Sequence, residues 1–135
     1  MNLRTQLSIL RAHAAFVGIA AIAALATADL RAAFFGAGPF GSLIAHAPSL
    51  AIGFVEAHGL ALILAALMWT AAPQPRWHAA GLAIALLLGT CNLVFWDLFA
   101  LTGTLAAGWI TTTLHFAFAA LQAIAWLSAR ARDRA

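Results

Sequence analysis

Apolar residues fall in four long runs, at about 12–28, 49–70, 78–99 and 107–127, and all four prolines and most of the charges lie between or beyond them. A helix needs about 20 mainly apolar residues to cross a hydrocarbon core about 30 Å thick. Each run is near or above that length. The runs lack the alternating pattern of barrel strands and are rich in Ala and Leu, which favour helix. The pattern predicts an all-α, polytopic integral membrane protein, an antiparallel four-helix transmembrane bundle formed by residues 1–135 as a single membrane domain. The segment 32–48, with Phe34, Phe35, Phe40, Pro39 and Pro48, is too apolar and too rich in Gly and Pro for a water-exposed loop. It reads as an interfacial loop over the mouth of the bundle. The connection 71–77, Pro-rich and short, makes the second and third helices antiparallel neighbours.

Composition reinforces the membrane assignment. Charged residues make up 8% of the chain and hydrophobic ones 64%, against about a quarter charged in a soluble domain. Between Arg31 and Arg130 the only formal charges are Glu56, Arg76 and Asp97. Arg4 and Arg11 precede the first helix with Ala26-Thr27-Ala28 beyond it, a pattern like a secretory signal. Its removal would leave three helices with termini on opposite sides, so the run is expected to stay.

Charge placement gives orientation. Six of the seven basic residues (Arg4, Arg11, Arg76, Arg130, Arg132 and Arg134) flank one side, and only Arg31 falls on the other. The positive-inside rule then predicts cytoplasmic termini, in a bacterial inner membrane. Trp69, Trp77 and Trp126 near that side, with Trp96 and Trp109 near the other, match aromatic belts at two interfaces. The +3 net charge follows from this asymmetry and points to anionic lipid, not nucleic acid. The single Cys91 excludes an intrachain disulfide, and the absence of Lys excludes a retinal or pyridoxal Schiff base.

Topology turns residue number into depth. Glu56 and His58 lie about 10–14 Å from the outer end of the second helix, Asn92 about 10 Å from that of the third, and His115 about 12 Å from that of the fourth. Thr111 is within a turn of these. Glu56, His58, Asn92, His115 and Thr111 are therefore the candidate ligand-binding set. Glu56 and His58 are about 200° apart around their helix, so one faces inward and the other a neighbouring helix or subunit. Small residues at Gly81, Ala85 and Gly89, ending in Asn92, form one stripe for close helix packing. Thr111, His115, Ala119 and Gln122 form another, with Gln122 expected in an interhelical bond. Asp29 and Arg31 read as a pair at the outer rim, Asp97 as a solvated boundary residue, and His13 and His78 as interfacial.

Three readings of the polar set compete. In the first it is an interhelical hydrogen-bond cluster of a non-catalytic structural or assembly subunit. In the second it binds a quinone-like or lipidic ligand, a histidine and a carboxyl handling the protons of its head group. In the third, His58 and His115 are the axial metal ligands of b-type haem. Zinc has suitable residue types but no close ligand spacing, and a transporter would need a repeat or broken helices that the chain lacks. Nothing in the sequence decides whether the protein is an enzyme.

The run Gly53-Phe54-Val55-Glu56-Ala57-His58-Gly59-Leu60, with Arg76 after the following apolar stretch, resembles the second-helix signature of DoxX-like membrane proteins. The resemblance implies a small membrane subunit linked to quinone or sulfur redox chemistry, with Glu56 and Arg76 as the corresponding positions. Together these readings predict a quinone- or lipid-binding subunit of a redox assembly, with other membrane subunits or a second copy of itself as partners.

Overall fold

The structure, a computed structural model, describes residues 1–132; Arg134, counted above with the basic end, lies outside the described residues. All regular structure among the described residues is helical. Helix α1 is Leu3–Ala24, followed without a break by a π-helical turn, Leu25–Asp29, and by α2, Leu30–Phe35. Then come α3 (Gly41–His46), α4 (Leu50–Thr70), α5 (Pro75–Val94), α6 (Trp96–Leu101) and α7 (Leu105–Arg132). Four helical stretches are long and apolar enough to cross a bilayer: Leu3–Phe35, α4, α5 and α7. The all-α four-helix bundle is therefore the fold.

Its edges differ from those of the hydropathy runs. The first span reaches residue 35 and not 28, because the π turn carries the helix through Asp29 and Arg31. The 32–48 segment is thus largely helical, with Gly36 closing α2 in the left-handed conformation (φ 61°) that suits a glycine there. Phe40 stacks on Phe54 of α4 at 4.6 Å between ring centroids, which ties this segment to the end of the bundle. The third span stops at Val94. Phe99 of α6 then lies so close over Gly108 that a Cβ there would sit 2.8 Å from the ring.

Two close pairs build the bundle, α1 with α4 and α5 with α7, joined through α1. The buried residues of α7 (Gly108, Thr112, His115, Ala119, Gln122, Ala125 and Ala129) follow one another at steps of three or four, the spacing of a knobs-into-holes seam. Gly81, Ala85 and Gly89 of α5 are buried as the small-residue stripe predicts. At Gly89 a Cβ would lie 3.2 Å from the Cβ of His115, so this glycine sets the close approach of the two helices. The contacts also fix direction. Gln6 near one chain end meets Ser128 and Arg132 near the other, which places residues 1 and 132 at the same end of the bundle.

Helix α4 is the least covered span, with only Ala65 and Met68 buried. Its side away from α1 is open.

Candidate functional site

The expected five-residue cluster divides into separate places. Asn92 Nδ2 donates to Thr111 Oγ1 at 3.0 Å, and that hydroxyl donates to the carbonyl of Ala107 at 2.8 Å. These two residues close the end of the α5–α7 pair away from residues 1 and 132. His115 is buried beneath them, its ring edge-on to Phe16 of α1 at 5.0 Å. Glu56 points away from the bundle, exposed, in an open groove of about 430 Å³ that it lines with Gly59, Leu60 and Ile63. His58 faces the other way, as the angular argument requires. No hydrogen bond among the described residues joins Glu56, His58, Asn92 and His115 to one another; equal depth did not bring them to one azimuth.

His58 instead meets a residue assigned to the rim. Its Nδ1–H donates to Asp29 Oδ2 at 2.6 Å. Asp29 is fully buried, while the His58 side chain is 32% exposed. The rim pairing of Asp29 with Arg31 is therefore corrected: the carboxyl lies inside the α1–α4 interface. The reason is the π turn that ends at Asp29. A π turn widens a helix by one residue and interrupts its regular rotation, and such turns recur at functional sites. Asp29 Oδ1 is buried without a partner, a costly condition for a carboxyl oxygen. One element thus supplies a fully buried acid and the other an imidazole that is about a third exposed. By holding Nδ1, the carboxyl fixes the ring and leaves Nε2 to meet whatever approaches from outside.

A second polar group spans three helices near the other end. His78 Nδ1–H donates to Gln122 Oε1 at 2.7 Å, and Gln122 Nε2 donates to His13 Nδ1 at 3.1 Å. All three side chains are fully buried, so His13 and His78 are not interfacial as their position in the runs suggested. Burial comes from α1, α5 and α7 converging there. In this arrangement Gln122 sets the two imidazoles in opposite tautomers, and both Nε2 atoms are left without a partner. Gly81 makes the room: a Cβ there would lie 2.8 Å from the Gln122 amide.

These positions do not fit haem. Two axial imidazoles need a slot for the macrocycle between them. His115 is instead packed against Phe16 and against α5 at Gly89, and His58 is committed to Asp29 in the α1–α4 seam. Nor do three or more His, Cys, Asp or Glu side chains among the described residues come together as a metal site. Comparison of the chain with protein-family models, with characterised proteins and with solved structures finds no match.

Proposed function

We propose that the protein is a small subunit of a bacterial inner-membrane redox assembly that binds a quinone-like or other polar-headed lipidic ligand at the Asp29–His58 pair, its termini in the cytoplasm. The observation that carries this reading is a fully buried carboxyl bonded at 2.6 Å to an imidazole that is itself 32% exposed in a membrane span. Ionisable groups at such depth are costly, and those retained there commonly serve a ligand or a proton. The pair suits a carbonyl or hydroxyl head group. The His58 Nε2 accepts a hydrogen bond when the ring is neutral and donates one when it is protonated, while Asp29 holds the ring's other side in either state. A quinone would bring the redox chemistry; the chain's share is to orient the head group and hold a proton beside it. The resemblance at 53–60 implies the same class of ligand but carries it to Glu56 and Arg76; the assignment to His58 rests on its bond to Asp29. The gathering of arginines at one end supports the orientation.

A titration of the purified protein with a short-chain ubiquinone, followed by tryptophan quenching, tests the reading. His58→Phe is expected to weaken binding about ten-fold, the loss of one hydrogen bond to a charged or polar head group. Glu56→Gln is expected to leave it unchanged. Equal affinity in His58→Phe and the unmodified protein would refute the site.

The exposed Glu56 favours a second reading, in which the open face of α4 meets another membrane subunit. A carboxyl facing lipid is costly until a partner supplies a hydrogen bond. Loss of co-purifying subunits in Glu56→Gln, with no quinone binding in the unmodified protein, would support that assembly role instead.

A further inference from the structure

At the arginine-rich end, the start of α5 and the last turn of α7 enclose an open cavity of about 580 Å³ lined by Gln74, Pro75, Arg76 and Arg132. Arg132 is held in place on one wall, donating to Gln6 Oε1 at 2.9 Å and to the Pro73 carbonyl at 3.4 Å. Arg76 on the other wall is exposed and makes no side-chain hydrogen bond or ion pair among the described residues. Two guanidinium groups share one cavity, and the acids among the described residues, Asp29, Glu56 and Asp97, all lie toward the opposite end of their spans. Each guanidinium still has N–H donors to offer an anion.

We propose that this cavity binds the phosphate of an anionic phospholipid of the phosphatidylglycerol type. Two observations and the chemistry of guanidinium select a lipid phosphate. Trp77, one residue beyond Arg76, and the stacking of Arg130 on Trp126 at 5.0 Å and of Arg11 over Trp69 at 5.8 Å give this end the aromatic belt expected at head-group level. Below it α5 presents exposed Leu86 and Leu87, an apolar wall for an acyl chain. A guanidinium fork matches two phosphate oxygens at once, and basic pockets between spans at this level suit anionic head groups. The site is separate from Asp29 and His58, and its success or failure leaves the quinone reading untouched.

Native mass spectrometry in mild detergent tests it, with dioleoylphosphatidylglycerol, dioleoylphosphatidylcholine and inorganic phosphate as probes. The unmodified protein is expected to retain one phosphatidylglycerol and no phosphatidylcholine. Arg76→Gln is expected to raise the half-saturating phosphatidylglycerol concentration about five-fold. Arg4→Gln, the same change of charge at the same end but outside the cavity, is expected to leave it unaltered. Equal losses in the two variants would mean diffuse surface attraction and overturn the proposal. Inorganic phosphate displacing the lipid at comparable concentration would overturn it as well, making the cavity a free-anion site.

Discussion

Replacing His58 by leucine while Asp29 stays in place is expected to destabilise the bundle by about 3 kcal/mol, because it strands a buried carboxyl whose other oxygen already lacks a partner. Adding Asp29→Asn to that variant is expected to recover most of the loss, since a neutral amide is far easier to bury than a carboxylate. Asp29→Asn alone is expected to be mild: its amide oxygen accepts the His58 Nδ1–H in place of Oδ2. The three variants and the parent form a double-mutant cycle, read by unfolding in mixed micelles through tryptophan fluorescence. Additive losses in the cycle would show that the two side chains are not coupled.

The second large effect is expected at Gln122. Leucine there removes both bonds of the His78–Gln122–His13 network and leaves each imidazole with no partner at either nitrogen. The expected cost is about 2 kcal/mol, two interhelical bonds on the modest scale found in membranes. Gly81→Ala is expected to destabilise in the same direction, since its Cβ would displace the Gln122 amide. Gly59→Ala serves as the control, as nothing lies within 4 Å of a Cβ at that position. Mixed-micelle unfolding separates these outcomes: a Gly81→Ala protein as stable as Gly59→Ala would contradict the packing described.

The two polar groups separate what residue order encodes from what the packing of helices decides. Hydropathy gave four spans, and steps of three and four placed Gly81, Ala85 and Gly89 on one buried stripe and His115 and Gln122 on another. The 200° between Glu56 and His58 foretold their opposed faces. Depth alone grouped Glu56, His58, Asn92 and His115, but depth carries no azimuth, and α4 turned Glu56 outward while α1 took His58. Asp29 was lost for a different reason. A π turn has no hydropathic signature, so the apolar run stops just before the span's only acid. Had the span been carried to Phe35, Asp29 would lie about 9 Å from the outer end by helical rise, close to the level of His58. His13 and His78 seemed interfacial because residue number reports distance from a helix end, whereas their burial depends on a third helix closing over them.

The proposed ligand contacts are Asp29 and His58, and not Glu56. Redox-difference infrared spectroscopy of the protein reconstituted with a short-chain ubiquinone tests this most directly, since it reports carboxyl groups that change when the quinone is reduced. A carboxyl band that disappears in Asp29→Asn and persists in Glu56→Gln is expected. A band that survives Asp29→Asn and vanishes in Glu56→Gln would move the site to the open face of α4 and overturn the Asp29–His58 assignment.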